Sequence, residues 1–219
     1  VTALYLLRHG QASFGGADYD VLSATGKQQA VVLGTELRRR ELTVASVWSG
    51  TLRRQLDTAS ACLAEAGIEL PVREDARWNE YDHLGLVPSG QPVAELEDAT
   101  REFQRLLDQA IEAWITGGHA AGSTGTWTQF TDGVRAALGE VFAELPRGTA
   151  ALVFTSAGVI SAVCSVLLSA PAAGYLALNR TMANASITKL VRGRSGVSLV
   201  SVNEHGHFDG PHRDLLTYR

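Results

Sequence analysis

Short runs of consecutive apolar residues alternate along this chain with longer stretches in which apolar residues recur every three or four positions. Ala3-Leu4-Tyr5-Leu6-Leu7 is continuous and ends at Arg8-His9-Gly10, so it reads as a strand buried on both faces and followed by a turn. Val44 to Trp48 and Thr149 to Thr155 read the same way, and a short strand is predicted at Pro71 to Arg73. Helical spacing joins Ala30, Leu33 and Leu37, with Ser23 or Thr25 as the cap and an end near Arg40. A second helix carries Leu52, Leu56 and Leu63 and is closed by Gly67. A third carries Leu96, Ala99, Phe103, Leu106, Ala110 and Trp114 and ends at Gly117-Gly118. Trp127, Phe130, Val134, Leu138, Val141 and Leu145 mark a fourth, and a fifth runs from Val159 onward. Ile187 to Val191 and Val197 to Val202 flank Arg192-Gly193-Arg194-Ser195-Gly196 as a hairpin. Residues 78–91 and 117–125 are polar and rich in small residues, and read as loops.

Strands that alternate with helices predict an α/β fold: a three-layer α/β/α sandwich with a mainly parallel sheet. Ligands of such sheets bind beyond the carboxyl ends of the strands. Three predicted strands end there in polar groups, at Arg8-His9, Ser49 and Thr155-Ser156. The segment from about 84 to 125 is expected to be a helical insertion over that end, within a single domain covering 1–219.

Composition narrows the class. With 219 residues, 45% hydrophobic and 19% charged, the chain can bury a sizeable core without a metal or disulfide framework. Cys62 and Cys164 lie in apolar helical stretches and read as buried free thiols of a reducing compartment. A net charge of −4 and the lack of a basic run argue against nucleic acid as a partner. The longest apolar tract, Ala157 to Leu168, is too short to span a bilayer, and no leader segment is evident, so a cytoplasmic location away from membranes is expected. Seventeen arginines stand against two lysines. Genome composition explains most of that excess, although guanidinium forks are also suited to phosphate and carboxylate.

The ends of the predicted strands carry the motifs. Leu6-Leu7-Arg8-His9-Gly10-Gln11-Ala12 resembles the signature of the histidine phosphatase superfamily, the phosphoglycerate-mutase-like proteins. Further resemblances follow in order: Leu22-Ser23-x-x-Gly26-x-x-Gln29-Ala30, Ser49-Gly50-Thr51-Leu52-Arg53-Arg54-x-x-x-Thr58-Ala59, Trp78-Asn79-Glu80 with Gly85, and Phe154-Thr155-Ser156-Ala157-Gly158. The resemblance implies phosphomonoester hydrolysis through a phosphohistidine on a small phosphorylated metabolite, with no cofactor and no metal. His9 is then the nucleophile, because a neutral imidazole can attack phosphorus. Arg8 and Arg54 neutralise the equatorial oxygens and lower the His pKa. Arg54 is preferred to Arg53 because it lies four residues before Thr58, like the family's arginine. Glu80, with Asp82 as a neighbouring rival, is the acid that protonates the leaving oxygen and then activates water. Gln11, Ser23, Ser156 and Ala157 are expected substrate contacts.

One departure stands out. The family usually has a second His where this chain has Ser156. A hydroxyl brings no positive charge, and losing a charge-assisted donor costs on the order of 2 to 4 kcal/mol of transition-state stabilisation. Either the enzyme is slower, or His205 or His207 enters the site from the Asn203-Glu204-His205-Gly206-His207 stretch. A phosphate-binding protein with little turnover and a phosphoglycerate-type mutase stay open as alternatives. His83, His119 and His212 read as surface residues, and solvent is the default for Arg101 and Arg105 on the third helix. Dimers occur among similar proteins, so a homodimer also stays open.

Overall fold

The computed structural model describes residues 1–13, 20–82, 86, 96–117 and 125–218. Six strands form one sheet: β1 (Thr2–Arg8), β2 (Val44–Ser49), β3 (Val72–Glu74), β4 (Ala150–Thr155), β5 (Ile187–Gly193) and β6 (Gly196–Glu204), in the order β3-β2-β4-β1-β5-β6. The first four strands in that order pair parallel, and the β5–β6 hairpin closes the sheet in antiparallel pairing. The expectation of an α/β sandwich with a mainly parallel sheet is borne out.

Alternation along the strands assigns the layers. Leu4 and Leu6 of β1, with Ala151 and Val153 of β4, face a cluster built on helices α4 (Trp127–Glu144) and α5 (Ala157–Leu168). Tyr5 and Leu7, with Leu152 and Phe154, face Leu33 and Leu37 of α1 (Ala24–Arg39) and Ala59, Cys62 and Leu63 of α2 (Arg53–Ala66). Because both faces are covered, β1 is apolar throughout its centre, and Leu4, Leu6 and Leu7 are fully buried. A third cluster joins Ile111 and Trp114 of α3 (Leu96–Ile115) to Ala162 of α5 and to Tyr175 and Leu176 of α6 (Ala172–Thr181). Tyr81 belongs to this cluster, its ring centroid 5.2 Å from that of Trp114. Part of the predicted insertion therefore packs against the residue next to Glu80.

Local chemistry sets the ends of the helices. Ser23, rather than Thr25, caps α1: its Oγ accepts from Gly26 N at 3.0 Å. Gly67 ends α2 in the left-handed region, with φ +69°. Thr126 and Gln129 form a reciprocal capping box on α4. Helix α5 begins at Ala157, two residues before the predicted start, because Ser156 leaves β4 in extended conformation and the chain turns at once. Helix α6 was not predicted. Pro171 is its N-cap, and the helix buries only Tyr175 and Leu176, so its periodicity is too short to recognise. Cys62 and Cys164 are buried and free, as expected. Among the described residues, no helix is long and apolar enough to cross a membrane. Of the loops expected at 78–91 and 117–125, residues 83–85, 87–91 and 118–124, with His83 and His119, lie outside the described residues.

One close approach fixes the first loop to α1. A methyl group on Gly26 would overlap the carbonyl oxygen of Gln11, and one on Gly10 would overlap the carbonyl of Gly26. Gly26→Ala should therefore cost about 1–3 kcal/mol. Gly139→Ala, where the added methyl meets nothing within 4 Å, should be neutral or stabilising by up to about 1 kcal/mol. Urea midpoints followed by tryptophan fluorescence separate the two.

Candidate active site

Strands β1 and β4 end side by side, with Arg8 in register with Thr155. His9 follows directly, and its backbone N–H donates to Thr155 O at 2.9 Å while its carbonyl accepts from Ala185 N at 3.2 Å. The imidazole is held at both nitrogens. Its Nδ1 lies 2.7 Å from the carbonyl oxygen of Gly10, and its Nε2 lies 3.2 Å from Nε of Arg54. A carbonyl only accepts and a guanidinium only donates, so the proton sits on Nδ1 and the Nε2 lone pair faces Arg54. Burial and then the charges of Arg54 and Arg8 hold the ring's pKa well below the ordinary value of 6.5, against the opposing Gly10 hydrogen bond.

Arg54, and not the exposed Arg53, reaches this ring. It sits in the first turn of α2, where Asp20 holds it: Arg54 Nη1 donates to Asp20 Oδ1 at 2.6 Å, and Arg53 N donates to Asp20 Oδ2 at 2.8 Å. The same carboxylate therefore anchors the guanidinium and satisfies a free N–H at the helix start. Thr58, one turn after Arg54, accepts from Gly10 N at 3.0 Å and donates to Arg54 O at 2.6 Å. Arg8 turns towards the carboxyl-terminal segment, donating to Met182 O and, at 3.1 Å, to Tyr218 O.

Glu80 arrives from the turn after β3. Its Oε2 accepts from Gly158 N, in the first turn of α5, at 3.0 Å. Its Oε1 is buried, and among the described residues it has no hydrogen-bond partner. Burial raises the Glu80 pKa, opposed by the Gly158 hydrogen bond and then by Arg54 and Arg8. Those two charges act on both Glu80 and His9, so the four predicted residues form one electrostatic cluster. The rival Asp82 is exposed.

The four expected substrate contacts divide. Ser23 Oγ donates to Gln11 Oε1 at 2.8 Å, and Gln11 N donates to Gln29 Oε1 at 2.7 Å, so this pair is part of the loop's own network. Ser156 is fully buried and accepts from Gln55 Nε2 at 2.8 Å. Ala157 opens α5 and is nearly buried. Neither His205 nor His207 joins the His9 cluster among the described contacts. His205 Nδ1 lies 2.5 Å from Asn203 O, and His207 Nε2 lies 3.1 Å from Ala185 O, with burial lowering the His207 ring to about 4. His212 is exposed, and Arg105 is exposed and paired with Glu102, as expected. The side chain of Arg101 lies outside the described residues.

Asp20, Gln55 and the packing of residues 215–218 were not singled out from sequence, and Gln29 stood there only as a motif residue without a role. Gln29 Nε2 donates to Leu215 O at 2.6 Å and Thr217 Oγ1 at 2.7 Å, which ties the tail beneath the first loop. Asp20 had one legible signal, a carboxylate three residues before the helix cap at Ser23, but nothing local ties it to Arg54.

A buried imidazole of lowered pKa flanked by guanidiniums, with a carboxyl of raised pKa at a helix start, is chemically suited to a phosphoryl group. The family model of the histidine phosphatase superfamily (branch 1) matches residues 4–205, and the chain belongs to that family. Its fold is similar to that of a mycobacterial glucosyl-3-phosphoglycerate phosphatase, at 26% identity, TM-score 0.68 and coverage of 93% of this chain and 99% of that one. Mycobacterial hydrolase 1 is similar at 27% identity and TM-score 0.68, covering 92% and 98%. YhfR of Bacillus stearothermophilus shares the fold at 21% identity and TM-score 0.72, covering 95% and 100%. No curated protein matches the chain.

Asp20→Asn keeps the helix-cap acceptor and removes the charge facing Arg54. Because Asp20 is one-third exposed, this should cost only about 1 kcal/mol, whereas Asp20→Ala should cost about 2 kcal/mol. Urea midpoints at unchanged slope measure both.

Proposed function

We propose that the protein hydrolyses a small phosphomonoester through a phosphohistidine on His9. The observation that carries this reading is the fixed tautomer: Nδ1 is engaged by Gly10 O, so the lone pair is on Nε2 and next to Arg54. Similarity to a mycobacterial glucosyl-3-phosphoglycerate phosphatase supports the substrate class.

In the first step the Nε2 lone pair attacks phosphorus and the P–O ester bond breaks. The leaving oxygen takes a proton from Glu80, which burial keeps available as the acid. Arg54 Nε gives up its hydrogen bond to Nε2 and donates to a phosphoryl oxygen as charge builds there. The phosphorylated ring keeps its Nδ1–H, so it is cationic, and the Gly10 carbonyl stabilises it. In the second step the Glu80 carboxylate takes a proton from water as that water attacks phosphorus. The P–N bond breaks, its electron pair returns to Nε2, and inorganic phosphate leaves.

His9→Ala should lower kcat for p-nitrophenyl phosphate by at least about 1000-fold. Rapid quench of the wild type should show an acid-labile phosphoenzyme that the variant lacks. Equal rates for the two proteins would remove this reading, and phosphate binding without wild-type turnover would favour the sensor reading instead.

The two shifts also set the pH dependence. The nucleophile must be unprotonated, so the rate falls as pH drops through the lowered His9 pKa, below 6.5. The acid must be protonated, so the rate falls as pH rises through the elevated Glu80 pKa, above 4.5. An acid-shifted bell in kcat/KM is expected. Glu80→Gln should remove its basic limb and cost about 10²–10⁴-fold in kcat/KM for alkyl phosphates, but much less in kcat/KM for p-nitrophenyl phosphate, whose leaving group needs little proton assistance; kcat should fall for both, because Glu80 also activates the water of the second step.

A further inference from the structure

Ser156 stands where an imidazole is usual, and the structure shows what lies beside it. Gln55 and Ser156 are both fully buried. Leu52 N donates to Gln55 Oε1 at 3.3 Å, which fixes the amide's orientation, since a backbone N–H only donates. Nε2 then uses its two hydrogens on two acceptors, Trp78 O at 3.1 Å and Ser156 Oγ at 2.8 Å. Ser156 Oγ is thereby an acceptor on this side, and its own hydrogen turns away from Gln55. The amide has no room to retreat: a methyl group on Gly50 would overlap Gln55 Oε1, so the backbone there already lies against it. Through these bonds Gln55 joins the start of α2, which carries Arg54, to the Trp78–Glu80 turn and to the start of α5.

We propose that Gln55 is a positioning residue of this site: it orients the Ser156 hydroxyl as a donor to the phosphoryl group, and it fills the space that an imidazole at position 156 would need. Serine at 156 and glutamine at 55 are thus one structural unit. The orienting half rests on the phosphatase reading; the space-filling half does not.

Two cycles test it on the full chain. In the first, Tm is measured for Ser156→His, Gln55→Ala, Gln55→Leu and the two double variants. Ser156→His alone should lower Tm by roughly 4–8 °C through overpacking. Combined with Gln55→Ala it should bring Tm to within about 2 °C of Gln55→Ala, because the space is open. Combined with Gln55→Leu, which keeps the volume, it should show the full loss again. A Ser156→His protein with wild-type Tm, or equal losses in all three backgrounds, overturns the space-filling half.

In the second cycle, kcat and KM for p-nitrophenyl phosphate are compared for Gln55→Leu, Ser156→Ala and their combination. Gln55→Leu should lower kcat about tenfold with KM within about 3-fold, and adding it to Ser156→Ala should change kcat by less than about 2-fold, because it acts through that hydroxyl. Wild-type kcat in Gln55→Leu, or additive losses, overturns the orienting half. A wild type without turnover removes the phosphatase reading and the orienting half with it, while the Tm cycle still decides whether Gln55 holds the imidazole's place.

Discussion

The hydrogen bond from His9 Nδ1 to the Gly10 carbonyl determines which imidazole nitrogen carries a proton, and the other contacts of the site are arranged around that choice. The carbonyl must be immobile to do this. Gly10 is held through its N–H by Thr58, through its missing side chain by the close approach of Gly26, and through the neighbouring Gln11 N–H by Gln29. Gln29 in turn holds the carboxyl-terminal segment, whose Tyr218 carbonyl accepts from Arg8. A chain of hydrogen bonds thus runs from the ring to the tail and back to the first arginine.

The electrostatics of the cluster pull its two titratable groups in opposite directions. Burial disfavours charge on both His9 and Glu80, which lowers the first pKa and raises the second. The arginines push both downwards, reinforcing burial at His9 and opposing it at Glu80. A lowered imidazole pKa together with a raised carboxyl pKa moves both groups towards the forms that nucleophilic attack with acid assistance calls for. On a protein of net charge −4, Arg8 and Arg54 still make this end of the sheet locally positive. Asp20 tempers that charge on the side away from the ring and keeps the Arg54 guanidinium in one orientation.

Legibility followed the length scale of each interaction. The strands and most helices were readable because their burial patterns repeat over many residues, as in β1, buried from Ala3 to Arg8, and the long α4. Helix α6 was not, because its burial rests on two residues that meet a cluster from α3 and α5. His9, Arg8, Arg54 and Glu80 were named from motif residues, and tertiary structure brings them together. The loop contacts behaved differently: Gln11 and Ser23 spend their polar groups on each other and on the α1 cap.

What the sequence determined by itself is the set of parts: the α/β order of elements, the family, and the four residues whose chemistry suits phosphoryl groups. Local periodicity suffices for the order of elements, and the resemblance of short motifs to a known family supplies the family and the four residues, because each motif depends on residues close in the chain. The tertiary structure decided the tautomer of His9, the hold of Asp20 on Arg54, and the seating of Ser156 against Gln55 rather than beside His205 or His207. Each of those joins segments 34 to 101 residues apart or lies in a carbonyl's direction. A donor and an acceptor so separated carry no shared period, and only the packed sheet sets them within hydrogen-bonding distance.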